Sequence, residues 1–322
     1  MSAIVSVSQI VCRYGALTAV DGASFDVQPG EMFGLIGPDG AGKTTTLRAL
    51  LGLLVPAAGT VATCGLEPRR QRRELASRVG YLSQGFSLYG DLTVDENIRF
   101  FADVHGVSRW RVRRDELLDL VRMTPFRQRL ADRLSGGMKQ KLALACTLIH
   151  TPDLLILDEP TTGVDPVSRR DFWKLLAGLR REGLSILLTT PYLDEAERCA
   201  RIALMYEGRV LSVSSPDALR EQAPGSTVEI LARPRREATA YLGKRQEIAE
   251  IEVYGERLHV SLPDVQPAAA ARVAESLAED LRGAGFSVEQ ARPITPSLED
   301  VFIARLRHEA RLSEAMSQEK SA

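Results

Sequence analysis

The sequence predicts an α/β protein of two domains, and three observations predict it. Short apolar runs bounded by Gly and Pro alternate with longer stretches of helical periodicity. The wholly apolar run Met32 to Ile36 passes directly into the glycine-rich segment GPDGAGKTT. After Ser214 the rhythm changes, through SSPDALREQAPGS with its two prolines. The 322 residues are also enough for two domains at roughly 150 residues each.

The elements follow in order. Val5 to Val11 and Ala23 to Val27 read as strands, Met32 to Ile36 as a buried strand, and Thr44 to Leu54 as a helix. The uncharged stretch from Ala49 to Leu66 contains Gly52, Pro56, Gly59 and Gly65. It reads as a helix end, a turn and a strand, because a membrane-spanning helix needs about 20 mostly apolar residues. From about 87 to 148 the text turns helical, with apolar residues at three-four spacing in Val94 to His105, Arg111 to Arg122 and Met138 to Ile149. Leu154 to Leu157 and Ser185 to Thr189 are further buried strands, each preceded by a helical segment. Thr227 to Ala232, Glu250 to Val253, the alternating Leu258, Val260 and Leu262, and Phe286 to Gln290 read as strands around an Ala-rich helix from Ala268 to Gly283. Residues 1–217 are thus expected to form the first domain, 218–306 a small α+β domain, and 307–322 a polar, frayed tail.

Composition narrows the classes of function. Forty-one basic against 42 acidic residues give a net charge of −1, so nothing global attracts nucleic acid. The arginine group Arg69, Arg70, Arg72, Arg73 and Arg78 is interrupted by Glu67 and Glu74 and reads as a solvated face. Cys12, Cys64, Cys146 and Cys199 stand far apart, which suits a reducing compartment and no zinc site. The amino terminus lacks the basic start and apolar core of an export signal, so export of the chain is not expected.

The chemistry lies in two motifs. Gly37, Pro38, Asp39, Gly40, Ala41, Gly42, Lys43 and Thr44, followed by Thr45, fit GxxxxGK[ST] between a strand and a helix. Glycines let backbone amides turn inward around phosphate oxygens, and the helix start adds positive potential. Lys43 is expected to reach the β and γ phosphates of a nucleoside triphosphate and Thr44 to ligate Mg²⁺. Four apolar residues, Leu154 to Leu157, then deliver Asp158 and Glu159 to the end of a strand, where open α/β sheets bind ligands. Asp158 is the expected metal carboxylate, and Glu159 the residue that orients or deprotonates the attacking water.

Leu134-Ser135-Gly136-Gly137-Met138-Lys139-Gln140 resembles the LSGGQ signature of ATP-binding cassette (ABC) ATPases, with Met138 where Gln is common. Ser135 and two glycines at a helix start also make physical sense as an anion site. Over roughly residues 2 to 217 the order of motifs is similar to that family. The resemblance implies a P-loop NTPase cassette, with a RecA-like core, an antiparallel β subdomain and a helical signature subdomain. It implies that Tyr14 stacks on adenine, that Gln84 is the Q-loop glutamine touching metal and water, and that Asp165 is the D-loop aspartate. It further implies that ATP lies between the phosphate loop of one cassette and the signature helix of a second, identical or different. Integral membrane permease subunits are the other implied partners, with Phe86, Leu88 and Tyr89 as candidate contacts. The chain would then work peripherally, at the cytoplasmic face of the inner or plasma membrane.

Two departures stand out. Asp39 replaces the family's usual Asn, and Pro191, in TTPYLDEAERC, occupies the position of the switch histidine. Proline offers no side-chain donor. SLYGDLTVDEN, TTGVDP, YLDEAERC and the terminal PSLEDVFIARL look like the multidrug or daunorubicin-resistance group of exporter ATPases. The competing expectations are a soluble ABC ATPase acting on RNA or the ribosome, and a largely non-hydrolytic regulatory subunit.

Overall fold

A computed structural model describes residues 2–85, 87–222 and 225–306. The expected permease contact Phe86 and the expected tail 307–322 lie outside the described residues. The chain divides into two compact units, residues 1–215 and 216–322.

The first unit runs β1 (Val5–Tyr14), β2 (Leu17–Val27), β3 (Met32–Ile36), α1 (Lys43–Leu50), β4 (Ala58–Thr63), α2 (Arg72–Arg78), β5 (Val79–Leu82), α3 (Val94–Val104), α4 (Trp110–Leu120), α5 (Gly136–Leu148), β6 (Leu154–Asp158), α6 (Pro166–Arg181), β7 (Ser185–Thr190), α7 (Leu193–Ala196), β8 (Arg201–Tyr206) and β9 (Arg209–Ser214). A six-stranded sheet has the order β5-β6-β7-β3-β8-β9, parallel except for β9. Every residue of β3, β6 and β7 is buried. That explains why these strands read as unbroken apolar runs: a parallel sheet covered on both faces has no solvent side to alternate with.

β2, β1 and β4 form a separate antiparallel sheet. Phe25 of β2 stacks on Phe33 of β3 at 5.5 Å between ring centroids, within a shared core. Full burial of a ring such as Phe33 contributes about 1.5–3 kcal/mol. Arg201, at the start of β8, closes the edge of this core by pairing with Glu31 at 2.7 Å and Asp26 at 2.9 Å.

β1 and β2 extend beyond the residues the sequence marks, to Tyr14 and from Leu17. There Cys12 and Val20 are buried, but Arg13, Tyr14, Leu17 and Thr18 are exposed, so the apolar signal thins out. β5, β8 and β9 carry no clear mark in the sequence. The core of β8, Ile202 to Met205, is a run of four apolar residues that suits a strand and a buried helix equally.

The helical segment opens with a capping box, in which Thr93 accepts from the Glu96 amide and Glu96 accepts from the Thr93 amide. Asn97, fully buried in α3, accepts from the Tyr89 N–H at 2.9 Å and donates to the carbonyls of Tyr89, Leu92 and Thr93. The turn before α3 is thereby sewn to the helix.

The second unit contains α8 (Pro216–Glu221), β10 (Ser226–Arg233), α9 (Arg235–Leu242), β11 (Glu250–Tyr254), β12 (Arg257–Leu262), α10 (Ala270–Gly283) and β13 (Ser287–Ile294), and residues 298–306 are helical. Its antiparallel sheet has the order β11-β12-β10-β13. Val228 and Ile230 pack with Leu277 and Leu281 of α10. Between them Glu229 points the other way, as strand alternation requires, and takes Arg257 at 2.8 Å and Arg292 at 3.0 Å. Among the described residues no helix is long and apolar enough to cross a membrane. The stretch from Ala49 to Leu66 is instead the end of α1, a turn and β4.

Candidate functional site

The glycine-rich loop leaves the carboxyl end of β3 and enters α1 at Lys43. Gly40 and Gly42 have φ of 80° and 98°, in the left-handed region that favours glycine. A β-carbon at Gly37 would collide with the Met205 carbonyl, and one at Gly42 with the Ala19 carbonyl. The loop is wedged against β8 and against β2 itself, so its amides have a fixed aim.

Lys43 is buried, 3% exposed, and folds back on its own loop. Its Nζ donates to the Gly37 carbonyl at 2.8 Å and to the Pro38 carbonyl at 3.0 Å, and lies 3.1 Å from Glu159 Oε1. Gln84 Nε2 donates to Glu159 Oε2 at 3.0 Å. Glu159 is a non-glycine residue with φ of 47°, a conformation that costs of order 1–3 kcal/mol and persists only where the surroundings dictate it. Here its N–H donates to the Thr189 carbonyl at 3.1 Å and to Thr189 Oγ1 at 3.0 Å.

Asp158 forms the neighbouring group. It accepts from Thr44 Oγ1 at 3.1 Å, from Thr189 Oγ1 at 2.7 Å and from the Tyr81 hydroxyl at 3.4 Å. Burial, then the adjacent Asp158 charge, pushes the Tyr81 phenol up to about 12. Tyr81 therefore stays a neutral donor at physiological pH. The Thr44 hydroxyl and the Asp158 carboxylate meet as two hard oxygen donors, the set that Mg²⁺ selects. Beside them lie the inward-turned loop and a buried ammonium, so the residues present fit a triphosphate with its cation.

These contacts bring together five of the residues expected from sequence: Lys43, Thr44, Gln84, Asp158 and Glu159. Gln84 bonds Glu159 and, among the described residues, no hydrogen bond joins it to Thr44 or Asp158, although the resemblance implies a place near the metal. Pro38, Asp39, Gly40 and Ala41 form the loop tip, with Asp39 exposed, and Thr45 lies in the first turn of α1. Tyr14 is 42% exposed, and its hydroxyl accepts from Arg48 at 3.4 Å.

The second group lies apart. Ser135 caps α5, accepting from the Met138 amide at 3.4 Å. Asp165 caps α6, accepting from the amides of Ser168 at 3.0 Å and Val167 at 3.1 Å, and the bonds with Ser168, backbone then side chain, followed by that with Val167, hold its carboxyl below the usual range. A β-carbon at Gly137 would strike the Ser168 side chain, so the two helix starts fit together through that glycine. Gly136 is exposed and open on that side. Among the described residues none of Ser135, Gly136, Gly137 and Asp165 bonds to the Lys43 cluster. Leu88 is half-buried and Tyr89 exposed, its ring 4.5 Å from that of Phe100. Pro191 follows directly on β7 and is half-buried.

Sequence reasoning missed Thr189, Tyr81, Gln140 and Glu195. Thr189 had a signal, a polar pair ending an apolar strand beside that of Asp158. Glu195, 1% exposed, had only the apolar neighbours Leu193 and Ala196 to suggest burial.

A parallel sheet with a glycine loop, a buried lysine and paired acids at its strand ends defines a P-loop nucleotide-binding cassette. The ABC transporter family profile matches residues 20–162. The chain is 42% identical over 272 residues to the Nod factor export ATP-binding protein I of Paraburkholderia xenovorans, covering 82% of this chain and 88% of that one. It is 40% identical over 223 residues to the probable multidrug ABC transporter ATP-binding protein YbhF of Escherichia coli, covering 68% of this chain but only 38% of that longer protein. A solved structure of an ATP-binding subunit of an ABC transporter superposes with a TM-score of 0.63 at 31% identity, covering 68% of this chain and 92% of that one. The chain belongs to the ABC transporter family, as one of its ATP-binding proteins.

Proposed function

We propose that this chain binds and hydrolyses ATP to drive export through separate membrane subunits. The single observation that carries the reading is the contact set joining Lys43, Gln84 and Glu159 beside Thr44 and Asp158. The names of the relatives support export over the RNA or ribosome alternative. In this reading residues 1–217 are the cassette, and residues 218–306 a small accessory domain.

Loop amides from Gly37 to Thr45 would hold the phosphates, and the exposed ring of Tyr14 would stack on adenine. Thr44 and Asp158 would hold Mg²⁺, which supplies charge neutralisation at the phosphate oxygens. Lys43 would turn from Glu159 to the phosphates. Glu159, freed from the ammonium and steadied by Gln84, would take the proton of the attacking water. Ser135, Gly136, Gly137 and Asp165 lie apart from this cluster, which suits a role at the nucleotide of a second cassette, identical or different. Leu88 and Tyr89 are the described candidates for permease contact, at the cytoplasmic face of the membrane.

Pro191 bears no donor where the family places its histidine, so turnover at this Lys43 would be slow. Steady-state ATPase of the purified chain and of Pro191→His tests this. The expected result is a low basal rate that rises several-fold on substitution. A homodimer working at about 1–10³ s⁻¹, with no gain from Pro191→His, would count against it. Rates that stay at zero in both, with ATP still bound, would favour a non-hydrolytic regulatory subunit.

A further inference from the structure

Glu159 keeps a left-handed backbone, and the two residues after it are gripped by buried polar groups that the proposed reaction does not use. Thr161 Oγ1 donates to Glu195 Oε1, and the Trp173 indole N–H donates to the same oxygen at 3.3 Å. Thr190 Oγ1 donates to Glu195 Oε2 at 2.7 Å and in turn accepts from the Tyr192 N–H at 3.1 Å, across the Pro191 position. The Arg169 guanidinium lies 3.6 Å from Glu195 and covers the Tyr192 ring. From the other side Gln140, fully buried in α5, donates through Nε2 to the Pro160 carbonyl.

We propose that Glu195 and Gln140 form a buried clamp on Pro160 and Thr161 that positions Glu159 for hydrolysis. This rests on the ATPase reading above. Both clamp residues act through the backbone and touch no reacting atom, so they are positioning residues. Three features support a purpose beyond stability.

A carboxylate 1% exposed carries a large desolvation cost, and an apolar side chain in this core would avoid it. Glu195 is instead met by two hydroxyls, an indole and a guanidinium from four different positions, so it fixes the loop after β6 against the loop after β7. Gln140 is similarly costly, because its Oε1 is buried with no partner. Its one donor bond links the helix begun by Ser135 to the residue next to Glu159. The clamp thus joins three parts of the chain that ATP would touch: the signature helix, the Glu159 turn and the Pro191 segment. Where Pro191 contributes no donor, Glu195 holds the segment by its neighbours on both sides.

The test uses full-length chain carrying Thr161→Val, Gln140→Ala, Glu195→Gln or Glu195→Ala. For each, steady-state ATPase and the binding of a fluorescent ATP analogue are measured. Thr161→Val and Gln140→Ala are expected to lower kcat about tenfold or more, with KM and analogue affinity within about twofold, since a misplaced Glu159 impairs chemistry more than binding. Thr161→Val combined with Glu195→Ala should be no worse than Glu195→Ala alone. Glu195→Gln, which keeps one acceptor oxygen, should recover part of the loss. Wild-type kcat in Thr161→Val and Gln140→Ala, or a rise in KM alone, overturns the clamp.

Lys43→Ala separates the two ideas. If it keeps full turnover the ATPase reading fails, and amide hydrogen exchange then decides the clamp alone. Faster exchange over residues 158–164 in Thr161→Val and Gln140→Ala supports it; unchanged exchange overturns it. Both variants remain informative should Glu195→Ala fail to fold.

Discussion

Glu159 Oε1 and Lys43 Nζ lie 3.1 Å apart, with the two side chains 8% and 3% exposed. The carboxylate thus holds the ammonium that the phosphates would need. Replacing it by an amide of the same shape removes the competing charge. Glu159→Gln should therefore bind ATP about tenfold more tightly in equilibrium titration while losing turnover. Weaker binding, or unchanged turnover, would sink the assigned role.

Lys43→Ala strands the Glu159 charge in the interior. Removing one partner of a buried pair costs about 3–5 kcal/mol, so both tight ATP binding and stability should fall, the latter measured by urea unfolding. A variant as stable as the parent would mean that Glu159 is better solvated than its burial implies.

Among the described residues Ser135 makes no hydrogen bond with the Lys43 cluster, and it caps an exposed helix start. Ser135→Arg should lose about 1 kcal/mol of capping. It should leave ATP binding by the isolated chain nearly intact and block hydrolysis in the assembled pair of cassettes. Loss of binding in the isolated chain would contradict the separation of the two groups.

His150 stacks on His105 at 3.9 Å, with the rings 5° from parallel. Burial, then the neighbouring imidazole, pushes His150 down to about 4, while the unfolded chain takes up this proton near 6.5. The unfolded state binds more protons between these values, so stability is full above the unfolded value and falls as the pH drops toward 4. Discounted for partial exposure, the loss is about 2–3 kcal/mol. Denaturant midpoints against pH should slope more steeply for the parent than for His150→Phe, and equal slopes would refute the assignment.

Gly42 and Gly40 should respond differently to alanine. At Gly42 the added carbon meets the Ala19 carbonyl in a backbone with φ of 98°, whereas at Gly40 nothing lies within 4 Å. Gly42→Ala should cost about 2 kcal/mol or more and abolish ATP binding, while Gly40→Ala should cost about 1–2 kcal/mol of backbone strain. The melting temperatures of the two variants check the order.

What the sequence disclosed depended on how local the signal was. Lys43, Thr44, Asp158 and Glu159 were legible because each motif is contiguous and flanked by a buried strand. Tyr81, Thr189, Gln140 and Glu195 were not, since each reaches the site through strand order or helix packing, and a threonine ending a strand looks the same wherever that strand lies. The same reasoning covers β8, whose partner β3 is distant in sequence. The ranges of α3 and α5 could be read because their apolar spacing and their Thr93 and Ser135 caps are local. Arg292 beside Glu229, by contrast, depends wholly on register.

Asn97 offers a last consequence. Its side chain spends its hydrogen-bonding capacity on the turn from Tyr89 to Thr93, so this corner behaves as a stiff bracket welded to α3 rather than a slack hinge. Tyr89, exposed on its outer edge, is then a handle on a lever: a push there is delivered along the helix with little lost to bending.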